Sequence, residues 1–196
     1  MDESVDIAIV YKDLGLGGVQ RKIVDIVNEL QARGEKEVCI FLTNRQGEFL
    51  RSIPETTRIV DLNVPLRSPR VATLPLKLAR ALTKYKPRVV LAMMDTFGCS
   101  AVLARKLLTS DKPAICISQE IHATGFFGKR PLLGIRKTLV RWLYPQAEMV
   151  FSVSNAVTED LVQNYQIPKR KIKLLRNWVS MKTQKVSRSK KTIDII

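Results

Sequence analysis

The feature that most constrains this chain is an alternation along its length. Seven short apolar runs fall at Asp6–Tyr11, Glu37–Thr43, Arg58–Leu62, Arg88–Met94, Ala114–Ser118, Glu148–Ser154 and Lys171–Leu175. Segments with helical periodicity lie among them: Val19–Ala32, Val71–Tyr85, Phe97–Leu108, Pro131–Tyr144 and Asn155–Tyr165. The apolar runs are continuous rather than strictly alternating, as strands covered on both faces must be. Punctuation agrees: Gly34 follows the first helix, Pro87 and Pro113 precede strands, and Pro131 suits a first helical position. The pattern predicts an α/β fold, a Rossmann-like, doubly wound parallel sheet of about seven strands.

In such a sheet, ligands bind where the strands end at their carboxyl edge. Topology alone therefore nominates Lys12–Gly18, Thr43–Gly47, Asp95–Phe97, Gln119–His122, Ser154–Asn155 and Arg176–Asn177. The first of these holds the turn Gly15-Leu16-Gly17-Gly18, which opens a helix with Val19, Ile23, Ile26, Val27 and Leu30 on one face. Glycines let backbone approach a ligand without a Cβ, and a helix N-terminus offers free N–H groups to phosphate. A tight turn that only packs helix on strand fits the same spacing. The turn lacks the third small residue of a dinucleotide fingerprint, since position 20 is Gln, and no P-loop pattern occurs. Glu120 and His122 stand together after the fifth strand, where they could act as a general base or bind a sugar hydroxyl. A plain solvent-facing loop is the competing reading.

With 196 residues, 45% of them hydrophobic, the chain can bury one good core. Cys39, Cys99 and Cys116 are scattered and the chain has one histidine, which speaks against a zinc site or a disulfide scaffold. The N-terminus is acidic, unlike a secretory signal, and no apolar run nears the roughly 18 residues of a membrane span. The expectation is a soluble protein of a reducing compartment. Its net charge of +15 points to a polyanionic partner. No acidic residue occurs between Ala123 and Gln146 or between Lys169 and Lys191. In the first stretch, Phe126 and Phe127 lie between glycines, followed by Lys129 and Arg130. Ile135, Leu139 and Trp142 then align on one side of a helix, with Arg130, Lys137 and Arg141 on another. Aromatics beside a basic helix suit an anionic membrane surface; a core-facing helix with a solvated basic face is the alternative. No recognition helix, ribonucleoprotein strand or zinc finger supports nucleic acid as the partner. After Met181 the chain turns basic and polar, and Thr192–Ile196 resembles a strand that has just begun. Residues 1–181 therefore read as one domain, and 182–196 as a linker with the start of a further domain.

Three stretches resemble one family. Gly17-Gly18-Val19-Gln20-Arg21 is similar to the glycine-glycine turn of the retaining glycosyltransferases of family 4, which have the two-domain GT-B fold. Tyr144-Pro145-Gln146-Ala147-Glu148-Met149-Val150-Phe151-Ser152-Val153-Ser154-Asn155-Ala156-Val157 resembles a second family segment, and Lys171–Asn177 resembles the one that ends the first domain. The resemblance implies an acceptor-binding N-terminal domain whose donor-binding partner domain lies downstream. Gly17 and Gly18 would approach the diphosphate of a nucleotide-sugar. Glu120 or His122 would carry the polar role of the acceptor-side loop, and Asp95, Thr96, Ser154 and Asn155 would line the acceptor cleft. The basic helix region would dock the enzyme peripherally on the inner face of the cell membrane, toward a lipid-linked or polysaccharide acceptor. No metal or other cofactor is implied, and this chain alone would transfer no sugar. A non-catalytic module that binds a phosphorylated ligand or an anionic surface is the alternative reading.

Overall fold

The computed structural model describes residues 4–34, 37–121 and 133–176. Their strands are β1 (Ile7–Tyr11), β2 (Val38–Leu42), β3 (Arg58–Asp61), β4 (Val89–Met93), β5 (Ala114–Gln119), β6 (Met149–Ser152) and β7 (Ile172–Leu174). They form one sheet in the order β3-β2-β1-β4-β5-β6-β7, and every adjacent pair is parallel. All five residues of β2 are buried, as are Ala8, Ile9 and Val10 of β1. This is why these strands read as continuous apolar runs.

The helices are α1 (Gly18–Ala32), α2 (Leu74–Tyr85), α3 (Met94–Lys106), α4 (Leu133–Leu143) and α5 (Asn155–Gln163). From β1 the chain moves outward to β2 and β3, then returns past β1 to begin β4. Right-handed crossovers place α1 on one face of the sheet and α3 on the other. Helix α2 packs against α3, and α3 against α4, in one layer. Glycine makes the closest helix-to-sheet approach possible: a Cβ on Gly98 of α3 would stand 2.7 Å from Ile117 Cγ2 of β5.

Two boundaries differ by three residues from the expected ones. Helix α3 begins at Met94, so Asp95 and Thr96 lie in its first turn rather than in a loop. Residues Pro69–Thr73 form a 3-10 turn with Pro69 at its start, and α2 proper begins at Leu74. His122, Phe126, Phe127, Lys129, Arg130, Asn177 and the segment 182–196 lie outside the described residues.

Candidate functional site at the carboxyl edge of the sheet

The chain changes direction between β1 and β4, and the loops after these two strands diverge there. Tyr11 at the end of β1 packs on Phe97 of α3, with ring centroids 5.3 Å apart. The loop after β1 is held from two sides. Asp13 Oδ1 accepts from the Gly15 N–H and from Gln20 Nε2, both at 3.2 Å. Leu14 N–H donates to the Gln46 carbonyl at 2.9 Å, Phe49 N–H donates to the Leu14 carbonyl at 2.9 Å, and Thr43 Oγ1 donates to the Lys12 carbonyl at 3.0 Å. The neighbouring loop needs glycine at position 47. Its φ is +122°, and a Cβ there would lie 2.1 Å from the Leu14 carbonyl carbon.

Gly17 and Gly18 have a different character. Gly17 is extended, with φ 166°, a conformation any residue adopts. A Cβ on Gly17 would meet only the end of the Gln20 side chain, and one on Gly18 would meet nothing within 4 Å. No side chain caps α1, and no acidic residue sits in its first turn. Packing thus does not require glycine at position 18. The open space and uncapped N-terminus suit a ligand's approach.

Across this edge lies a buried polar group that joins α1 to β5. Lys22 Nζ donates to Glu120 Oε1 at 2.7 Å and to Ser118 Oγ at 3.3 Å, and Ser118 Oγ donates to the same Oε1 at 2.5 Å. The two charged side chains are only 8% and 4% exposed. Charges taken from water need such pairing. Both donors address Oε1; among the described residues Oε2 has no recorded hydrogen bond.

Asp95 is buried at the start of α3 and paired with Arg136 of α4, which reaches both carboxylate oxygens. Its Oδ1 also accepts the Thr96 N–H at 2.7 Å. Below, Tyr144 donates its hydroxyl to Gln119 Oε1 at 2.7 Å, and Gln119 Nε2 donates to the Ile121 carbonyl at 2.9 Å. Burial pushes the Tyr144 hydroxyl well above the usual phenol range, with the Asp95 carboxylate adding to the shift. Met94, between β4 and Asp95, has φ 71°, unusual for a side chain of its size. Ser154 caps α5, its Oγ accepting the Val157 N–H at 3.2 Å, and Asn155 opens that helix.

The sheet edge therefore brings Gly17, Gly18, Asp95, Thr96, Glu120, Ser154 and Asn155 to the ends of neighbouring strands. It also adds two residues that the sequence reading missed. Lys22 is a charge on the apolar face of α1, three residues from Val19 and four from Ile26. Arg136 stands four residues before buried Val140 on α4. A cation on an apolar stripe was the available signal for both.

Helix α4 turns to the core a side other than its apolar stripe. Ile135, Leu139 and Trp142 are 61%, 40% and 60% exposed, while Val140 and Leu143 turn to the core. The apolar stripe faces outward. Lys106 of α3 lies over the Trp142 ring at 4.6 Å. Arg141 is exposed and bonded to Gln166, and Lys137 is half-buried. No described helix is long and apolar enough to cross a membrane. Among the described residues no group of three or more His, Cys, Asp or Glu side chains could hold a metal ion.

A parallel sheet wound in both directions from β1, with polar groups gathered at the crevice beside β1, defines a Rossmann-like domain. The family model for Glycosyltransferase Family 4 matches residues 16–182, and the chain belongs to that family. Its fold is shared with a glycosyltransferase from Rickettsia africae: 20% identity, TM-score 0.66, covering 90% of this chain and 44% of that one. The lipopolysaccharide outer core galactosyltransferase WaaB in its apo form is also similar, with 19% identity and TM-score 0.67 over 91% of this chain and 47% of its own. So is the UDP-GlcNAc 2-epimerase from Neisseria meningitidis bound to UDP-GlcNAc, with 20% identity and TM-score 0.58 over 86% and 45%. The chain spans less than half the length of each of these three proteins. No curated protein sequence matches it.

Proposed function

We propose that this domain is the acceptor side of a retaining glycosyltransferase that moves a sugar from a nucleotide-sugar to a membrane-associated glycolipid or polysaccharide. The observation that carries the reading is the crevice beside β1. It combines an uncapped glycine-led helix N-terminus that packing does not require with a fixed carboxylate, Glu120, at the end of β5.

In this reading a second, donor-binding domain brings the nucleotide-sugar against Gly17 and Gly18. The amide groups of the helix N-terminus stabilise the charge that grows on the diphosphate as its bond to the anomeric carbon breaks. The acceptor hydroxyl attacks that carbon from the same face and passes its proton to the departing diphosphate oxygen. Glu120 Oε2 accepts a hydrogen bond from an acceptor hydroxyl, while Lys22 and Ser118 fix the carboxylate through Oε1. His122 is the second candidate in this loop. Asp95 and Thr96 line the acceptor side through the start of α3, and Ser154 and Asn155 through the start of α5. No metal is used, since amide donors and a helix N-terminus meet the leaving diphosphate.

The neighbours support a nucleotide-sugar ligand, one of them being bound to UDP-GlcNAc. The exposed stripe on α4 supports a peripheral position on the inner membrane face, where lipid-linked acceptors are met. Nucleoside diphosphate release from a panel of nucleotide-sugars, with and without a membrane extract, tests the reading. In this reading the domain joined to a donor-binding domain releases diphosphate and labels a lipid or polysaccharide product. The chain of 196 residues alone does neither, and transfer by it would refute the division of labour.

A further inference from the structure

A cavity of about 480 Å³ opens at the carboxyl ends of β2 and β3, beside the crevice and outside the residues assigned to it. That size lies within the ~300–1,000 Å³ usual for small-molecule sites. Its polar lining is Thr43, Asn44, Asn63, Arg70, Thr73 and Lys77, with Val64 and Pro65 completing the wall. Two cations line it and no carboxylate does. A cavity of about 520 Å³ at the opposite, amino-terminal edge carries both signs, with Asp6, Glu37 and Arg58 among its lining.

The wall is built rather than incidental. Asn63 holds φ +47°, a left-handed conformation that costs a non-glycine residue free energy. Three contacts hold it there. Its N–H donates to Asp61 Oδ1 at 2.7 Å, and Lys77 Nζ donates to the Asn63 and Leu62 carbonyls at 2.7 and 3.0 Å. Thr43 is buried, fixed through its hydroxyl to the Lys12 carbonyl. Arg70, by contrast, is exposed, and among the described residues its guanidinium has no recorded partner. Its own N–H is taken by Ser68 Oγ at 3.0 Å, which sets the backbone from which the guanidinium projects. Thr73 Oγ1 donates to the Arg70 carbonyl at 2.7 Å, so both threonine hydroxyls face the cavity as acceptors, and with two amides around a spare guanidinium they match a polyhydroxylated ring that carries an oxyanion.

We propose that this cavity is a subsite for an anionic sugar, one bearing a phosphate or carboxylate group, with Arg70 reading the anion and Asn44, Asn63 and Thr73 reading ring hydroxyls. It rests on the acceptor-side reading of the domain and specifies that the acceptor carries negative charge near the reacting sugar. The test is binding to the full chain followed by amide NMR shifts, with glucose 6-phosphate, glucuronate, inorganic phosphate and glucose as probes. Glucose 6-phosphate or glucuronate shifts the amides of residues 43–44, 63–64, 70–74 and 76–77, and whichever binds more tightly identifies the anion. Glucose binds about tenfold or more weakly, and Arg70→Ala removes about tenfold of the affinity while Arg70→Lys recovers part of it. Arg70 is exposed, so these variants keep the unbound spectrum. Equal binding of glucose, equal binding of inorganic phosphate alone, shifts confined to other residues, or an unchanged affinity in Arg70→Ala would each overturn the subsite. The transferase reading would survive such a result, because it is decided by nucleoside diphosphate release.

Discussion

Lys22 and Glu120 carry the strongest single-residue prediction. They are nearly buried, and each neutralises the other far from water. Removing one partner leaves an uncompensated charge, so Lys22→Met or Glu120→Gln alone should cost about 3 kcal/mol of stability in urea unfolding. The double variant should recover a large part of that, since it leaves no buried charge. Equal losses that simply add would show that the pair is not coupled. Two glycines make the opposite point to each other. Gly47→Ala forces a Cβ to 2.1 Å from the Leu14 backbone at φ +122°, and should destabilise the domain by about 2 kcal/mol or more. Gly18→Ala meets open space and should leave stability unchanged. Neither contrast could be read from spacing, because both glycines occur in ordinary loop sequences. The partner of Lys22 was likewise hidden, as it lies 98 residues away.

Among the elements, the strands were the most legible. Parallel strands covered on both faces must be apolar throughout, so β1, β2 and β4 begin and end within about a residue of the expected runs. The start of α3 was not legible. Asp95 suits the first turn of a helix, but that signal is weak beside the apolar run before it, and its partner Arg136 lies 41 residues away on α4. Helix α4 shows a different limit. Its periodicity set Ile135, Leu139 and Trp142 on one side, but which side met the core depended on Val140, Leu143 and the neighbouring Tyr144. The outward stripe yields a test. Vesicles containing anionic lipid should sediment the wild-type chain in a salt-sensitive manner, and Ile135→Ser, Leu139→Ser and Trp142→Ser together should abolish this with little change in thermal stability. Binding that ignores anionic lipid would remove the membrane role of α4.

At the scale of the whole molecule, the parallel, doubly wound sheet and the choice of its carboxyl edge followed from the alternation, whereas the strand order and the crevice beside β1 emerged only in the folded chain. The pairing of charges within that crevice did not. The core also sets a pH limit. Burial pushes the Cys39 and Cys99 thiols from 9.0 up to about 12, and the Tyr11 and Tyr165 hydroxyls from 10.0 up to about 12. Asp13 and Glu120 add to the Tyr11 shift, and the Asp95 carboxylate adds to those of Cys99 and Tyr165. These groups lose protons more readily when unfolded. Their contribution is therefore complete below about pH 9 and is lost as the pH rises toward 12. Unfolding free energy should fall steeply over that window, and the native thiols should react slowly with iodoacetamide at pH 8.

The central claim is that a nucleotide-sugar diphosphate meets the glycine-led start of α1. The direct measurement is the rate of nucleoside diphosphate release by this domain paired with the proposed donor-binding domain, with Gly18 against Gly18→Ala and Gly18→Val. The account predicts a fall in kcat/KM of about tenfold or more for the larger substitution, with an unchanged melting temperature. Full activity in Gly18→Val would contradict it and return the turn to a purely structural role.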